Sequence, residues 1–438
     1  MEMSPKGHKR TSILFILMFC LVLSKGCDSK APDAEINLWN KHLVTDDFAG
    51  ADMFTGDIDN DGKEEFVIIG VMAGLKISWY DHELIDGEDK WTENIIDQAE
   101  DSEFLPADHE LQDMDGDGDL DVILAGMCTA GTVGLTNELC ETSQMLWYEN
   151  IDNGTTWEKH VIGEMEAIGA NYLDVNDMDN DGDLDVAAGT IWLPVEPEEA
   201  EVAWFRNKMD EDGSWEKITI SAPGSSGIKY ANGICISDLD NDGYPDVSVA
   251  TSKGVEEVGT VYWFKSPGDT GADWQRFQVD PGMETASWSI FAIDVNNDGF
   301  NDLAVGRNDS RISSNPGGII FYINPKNPEN GSIWKQYSFI EGDYKMGPSF
   351  NFDDIDGDGE LDIVNTYTGE MTGDPGNVSW IKFHFDPILG LIQDRRVMIA
   401  TEHLKAWDVH TIDVLGSSKK GVVVSDFIIG NINWYEKP

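Results

Sequence analysis

Positive charge is what this sequence has least of: 29 Lys and Arg stand against 82 Asp and Glu in 438 residues, a formal charge of −53. A nucleic-acid binder needs a basic face to neutralise phosphates, so that class is excluded. A peripheral protein held on anionic lipid by a basic patch is excluded on the same ground. Cysteine is sparse, at five residues, and beyond Leu23 no segment is apolar enough to cross a membrane as a helix. Hydrophobic residues nevertheless make up 41% of the chain, too many for a disordered acidic polymer. Fifteen Trp and 44 Gly point to aromatic-rich strands joined by tight turns.

The first residues read as an address. Lys6, Lys9 and Arg10 precede an apolar run from Ile13 to Leu23, too short for a membrane span and suited to a secretory signal over residues 1–26. Ser24-Lys25-Gly26-Cys27 resembles a bacterial lipoprotein cleavage site, with Cys27 as the lipid-bearing residue, although Lys25 departs from that pattern. Simple secretion is the alternative. Either way the protein is expected outside the cytoplasm, on the cell surface or outer membrane or free, touching membrane only through an anchor at Cys27. In that oxidising setting Cys128 and Cys140, with a Gly- and Thr-rich loop between them, are expected to form a disulfide, two free thiols being the rival. Cys235, between Ile234 and Ile236, is expected to be a buried, inert thiol.

One acidic phrase, D-x-[DN]-x-D-G-x-x-[DE] followed by an apolar run, recurs six times, starting at Asp57, Asp113, Asp177, Asp238, Asp294 and Asp354. A seventh interval leads to Asp413, where the apolar strand persists and the acids are gone. An aromatic pair follows in step: Trp79-Tyr80, Trp147-Tyr148, Trp204-Phe205, Trp263-Phe264, Phe321-Tyr322 and Trp434-Tyr435, with Trp380 alone in unit six. A Trp then opens an alternating stretch at Trp91, Trp157, Trp215, Trp274 and Trp334. Each unit of about 60 residues therefore holds four short strands, the content of a propeller blade. Unit seven stops after its third strand, and the stretch from Trp39 (WNKHLV) matches the fourth strand at Trp157 (WEKHVI). The expected fold is all-β: a seven-bladed propeller of four-stranded blades over residues 38–438, closed by an N-terminal strand that completes the last blade, with 27–37 as a linker. An open solenoid would need no such complementary ends.

Alternate acids in a tight turn converge on one point, and hard oxygens at that density suit Ca²⁺. No His or Cys enters any loop, and an EF-hand is rejected because position twelve is apolar each time. The candidate ligands are Asp57, Asp59, Asp61 and Glu65; Asp113, Asp115, Asp117 and Asp121; Asp177, Asp179, Asp181 and Asp185; Asp238, Asp240, Asp242 and Asp246; Asp294, Asn296, Asp298 and Asp302; and Asp354, Asp356, Asp358 and Asp362. Up to six structural calcium ions are expected, against a row of merely solvated turns.

With these residues in view the chain resembles the FG-GAP and VCBS repeat family, the calcium-loaded propellers also found in integrin alpha subunits. The resemblance covers about residues 38–438 and implies calcium on one face and ligand binding on the other.

On that second face, residues just before each acidic phrase crowd the mouth of a central channel. Asp52, Asp108, Asn171, Asn232, Trp288, Trp407 and Asp408 are candidate ligand-binding residues, because aromatic faces beside carboxylates and amides suit sugars. Channel-filling and solvated acids are the alternative. The leading function is a binding or adhesion module for glycan or protein. The rival is a polysaccharide lyase or sugar dehydratase, with Arg307 neutralising a uronate, His109 as base and Tyr172 or Tyr230 as acid.

Overall fold

Neighbouring residues of a strand point to opposite sides, and this single rule explains the repeated aromatic pair. The computed structural model describes residues 35–46, 48, 52–70, 75–99, 104–128, 142–165, 169–191, 200–222, 228, 230–252, 259–268, 273–280, 289–307, 318–339, 349–367, 376–403, 406–426 and 430–438. Its strands form seven antiparallel blades. From the axis outwards, blade 1 comprises Asp52–Gly56, Glu65–Ile69, Leu75–Ile85 and Glu88–Ala99. Blade 2 comprises Phe104–Gln112, Asp121–Cys128, Ser143–Asn150 and Trp157–Met165. Blade 3 is Gly169–Asn176, Asp185–Ile191, Val202–Lys208 and Ser214–Ser221, and blade 4 is Tyr230–Ser237, Asp246–Ser252, Thr260–Lys265 and Gln275–Gln278. Blade 5 is Ile290–Ile293, Asp302–Arg307, Gly318–Ile323 and Lys335–Phe339. Blade 6 is Phe350–Asp353, Asp362–Tyr367, Gly376–Asp386 and Gly390–His403.

Blade 7 takes Ala406–Ile412, Gly421–Asp426 and Ile432–Glu436 from the C-terminal end and Asn40–Thr45 from the N-terminal end. His42 lies opposite Trp434 as His160 lies opposite Trp147, so the match between the two stretches is a match of register. Each imidazole also packs on its Trp, with ring centroids 4.7 and 4.6 Å apart. Glu35–Ile36, within the stretch read as linker, adds a short parallel strand to the outer edge of blade 6, where Arg395 holds Glu35 with a 2.6 Å hydrogen bond.

Seven apolar clusters fill the spaces between successive blades, including the space between blades 7 and 1. The first aromatic of each pair faces the following blade and the second faces the preceding one. Trp147 thus packs towards blade 3 and Tyr148 towards blade 1. Trp434 likewise packs on blade 1 through Phe48, Met53 and Phe66, which closes the ring. Aromatic side chains bury the largest areas available, so these pairs carry much of the inter-blade cohesion. Cys235 is a buried free thiol in the cluster between blades 4 and 5, as its apolar flanks suggest. Cys140, residues 1–34 and the intervals that carry Trp288 and much of the longer loops lie outside the described residues, so the disulfide and the signal segment do too.

Candidate metal loops and the channel mouth

The acidic phrase forms the turn between the first and second strands of blades 1 to 6, and the six turns share one hydrogen-bond pattern. The Gly at position six donates its amide to the Asp at position one: 3.0 Å for Gly62 to Asp57, 3.1 Å for Gly118 to Asp113 and 2.7 Å for Gly359 to Asp354. The same bond recurs at Gly182, Gly243 and Gly299. Position six is left-handed throughout, with φ from 87° at Gly62 to 103° at Gly182, which is why Gly stands there. Position four is left-handed as well and is always Asn or Gly: Asn60, Gly116, Asn180, Asn241, Asn297 and Gly357. That second requirement is visible in the phrase and complements the first. The Asn side chains also link neighbouring turns, as Asn180 donates to the Gly243 carbonyl and Asn241 to the Gly299 carbonyl, each at 2.8 Å.

The acid at position nine opens the second strand and is buried. In blades 2 to 5 its two oxygens take separate main-chain amides. Asp121 accepts from Met114 at 3.0 Å and from Asn150 at 2.8 Å, and Asp185 accepts from Met178 and Asn207 in the same way. This residue therefore ties the turn to the third strand as well as facing it. Burial is the main cause that pushes Glu65 up to about 8 and Asp121, Asp185, Asp246, Asp302 and Asp362 up to about 7.

The turns fit a hard cation. In blades 1 to 4, oxygens of Asp57, Asp59 and Asp61, of Asp113, Asp115 and Asp121, of Asp177, Asp179 and Asp185, and of Asp238, Asp240 and Asp246 lie within 4.8 Å of one another. Buried oxygens of Asp57, Asp113 and Asn296 have no hydrogen-bond donor. Carboxylates this close, with acceptors left over, call for a positive charge between them. Side chains from the third strand supply part of it in some blades: Arg206 contacts Asp179 and Asp181, Lys265 contacts Asp240 and Asp242, and Lys382 contacts Asp356 and Asp358. Blade 7 keeps the shape without the acids. Ser418, at φ 60°, donates to Asp413 at 2.6 Å in place of the Gly, and Glu64 of blade 1 accepts the Asp413 amide at 2.7 Å.

The channel-mouth residues lie at the opposite ends of the first strands. Several are structural ties. Asp408 accepts the Met53 amide of blade 1 at 2.9 Å and the Ser349 hydroxyl of blade 6 at 2.6 Å. Asp108 accepts the Leu173 amide of blade 3 at 2.9 Å. Asp174, absent from the expected set, accepts the Ile236 amide of blade 4 at 2.5 Å and meets the Glu110 carboxyl in a side-chain hydrogen bond. Asn232 is buried and stands at a bulge between Ala231 and Gly233, while Trp407 is partly exposed and its carbonyl accepts from Thr366. The Asn171 and Arg307 side chains and all of Trp288 lie outside the described residues.

His109 is not at the mouth. It sits four residues before its phrase, a position filled elsewhere by Met53, Leu173, Ile234, Ile290, Phe350 and Val409, and it is 0% exposed. Its ring packs edge-on against Phe54 at 5.1 Å. Burial drives its pKa down to about 4, so the imidazole is neutral. Tyr172 packs against the cluster between blades 3 and 4, and Tyr230 is partly exposed at the first strand of blade 4. Of the proposed base, acids and uronate clamp, the base is buried and the clamp's side chain lies outside the described residues. On the outer edge of blade 2, Glu149, Glu158 and His160 hold ligand atoms within 4.8 Å, with His160 bonded to Glu149 at 2.7 Å. The HVI alternation that places His160 there was legible as a strand, and its two Glu partners were not.

The FG-GAP-like repeat family matches residues 113–188, 177–249 and 238–305. The chain is a seven-bladed β-propeller whose repeats over residues 113–305 match that family, and the same acidic phrase recurs at Asp57 and Asp354 outside those bounds. In fold it is similar to the crystal structure of BBS1N in complex with ARL6DN, soaked with lead, at a TM-score of 0.52 and 11% identity over 93% of this chain and 98% of that one. A likeness at that identity speaks for the fold alone.

Proposed function

We propose that the protein is an exported, calcium-stabilised propeller that binds glycan or protein through the face opposite its acidic turns. The observation that carries this reading over an elimination enzyme is the position of His109. A general base must reach a substrate proton within hydrogen-bond distance, and the His109 ring, fully buried in the ring wall, is closed to a polysaccharide. Asp408 and one carboxyl oxygen of Asp108 hold blades together. What is left for recognition is the end of the ring away from the acidic turns, where the second strands stop and the third begin, with the loops that join them. Loops of that kind on a rigid ring are where binding surfaces form. Calcium fits an exported protein, and residues 1–26 supply the export signal, with Cys27 as a lipid site.

A glycan array probed with the calcium-loaded protein, run beside an ultraviolet assay for unsaturated uronate on anionic polysaccharides, tests the reading. Retention of one glycan class with no new absorbance is the expected result. A rise in absorbance that is lost in His109→Ala would overturn it in favour of the lyase.

A further inference from the structure

The acids that line the first strands are satisfied in a regular way, except at one place. Asp108, Asp174 and Asp408 each accept a main-chain amide from the next blade. Among the described residues, the Asp52 carboxyl receives no such amide; its polar neighbours are the Asp108 carboxyl, with which it makes a side-chain hydrogen bond, the Asp408 carboxylate and His109. His109 is fully buried, yet neither ring nitrogen has a hydrogen-bond partner of normal geometry. Its Nδ1 stands 3.6 Å from Asp52 Oδ2. That is too long for a hydrogen bond, which closes at about 2.7–3.2 Å. It is close to the spacing of two donors that share one ion, each at about 2.0–2.2 Å from it.

We propose that Asp52, Asp108 and His109 form a site for one divalent transition-metal ion in the channel wall, separate from the six acidic turns and beyond the binding function above. The donor set explains the ion class. One imidazole with carboxylates suits Zn²⁺ or a similar metal, whereas all-oxygen turns suit Ca²⁺. Two carboxyl groups in contact require either a shared proton or a cation between them. The Asp52 side chain is 27% exposed, which opens a route from the channel. The Val67 carbonyl stands beside the ring, as an acceptor does where it fixes the tautomer of a metal-bound imidazole. The six other blades hold an apolar residue at this position, so packing alone does not call for His.

The repeats also supply a substitution compatible with the fold, because blade 3 has Leu173 at the same position. Zinc binding to the full, calcium-saturated protein is measured by calorimetry in a His160→Gln background, which removes the outer Glu149–Glu158–His160 group. One zinc ion per chain is expected there. His109→Leu and, separately, Asp52→Asn should weaken it by about 10–100-fold, while both variants keep the calcium-loaded melting temperature within a few degrees. X-ray absorption should place one imidazole nitrogen in the zinc shell. No zinc uptake in the parent, or equal uptake in His109→Leu, overturns the site. A carboxyl pair that merely shares a proton gives the first of these.

Discussion

At the level of single side chains, the inner wall is a chain of carboxylates doing different work. Burial raises the Asp408 carboxyl, but the neighbouring His410, the Ser349 hydroxyl and the Met53 amide more than offset it and hold the group below its usual range. A depressed carboxyl contributes stability that is present above its unfolded pKa and lost as pH falls through the folded one. Asp408→Asn should therefore cost about 2 kcal/mol near neutrality, with the difference shrinking in acid, read by urea denaturation in saturating calcium. Glu110 and Asp174 behave oppositely. Burial, then the charge of its partner, raises Glu110, and burial raises Asp174 to about 6. A raised carboxyl contributes stability below its unfolded pKa that is lost as pH climbs through the folded value. Glu110→Gln should thus gain on the order of 1 kcal/mol at pH above 6 relative to the parent and gain nothing near pH 4. A parallel offset at all pH values would show that the pair carries no shared proton.

Among strands and turns, the repeat was legible because its two periods, the acidic turn and the aromatic pair, are local patterns. The closing strand was legible because WNKHLV copies WEKHVI, down to the His that packs on a Trp. The parallel strand Glu35–Ile36 was not, since two residues held by a neighbouring edge carry no periodic signal. His109 was misplaced for a related reason: in a strand, one residue of offset moves a side chain from the channel to the core. Counting back from the phrase and comparing blades would have revealed it, because the same count lands on Leu173 and Val409. The ties made by Asp108 and Asp408 were invisible, as their donors are amides of other blades. Removing residues up to 46 should expose the edge of Ile432–Glu436 and leave blade 7 with three strands. Such a chain is expected to aggregate or melt well below the parent, by light scattering and calorimetry. An unchanged melting temperature would mean that the seventh blade closes without its outer strand.

For the whole molecule, a ring has no terminal blade, so cohesion depends on seven similar interfaces and on turns that must not fly apart at a charge of −53. The acidic turns concentrate that charge on one face. In blades 3, 4 and 6 a Lys or Arg shares the load through the third strand, and in blade 2 no cation contacts the turn among the described residues. Blade 2 should therefore depend most on a bound ion. Asp115→Ala, which removes one ligand there, is expected to lower the calcium-loaded melting temperature while leaving the metal-free value little changed, by differential scanning calorimetry.

Elemental analysis paired with calorimetry, on one preparation before and after treatment with excess EGTA, reaches the centre of the matter. Up to six calcium ions per chain and a fall in melting temperature of many degrees on chelation, reversed by added calcium and not by magnesium, is the predicted result. A protein that carries no calcium, or one whose melting curve is indifferent to EGTA, would contradict it.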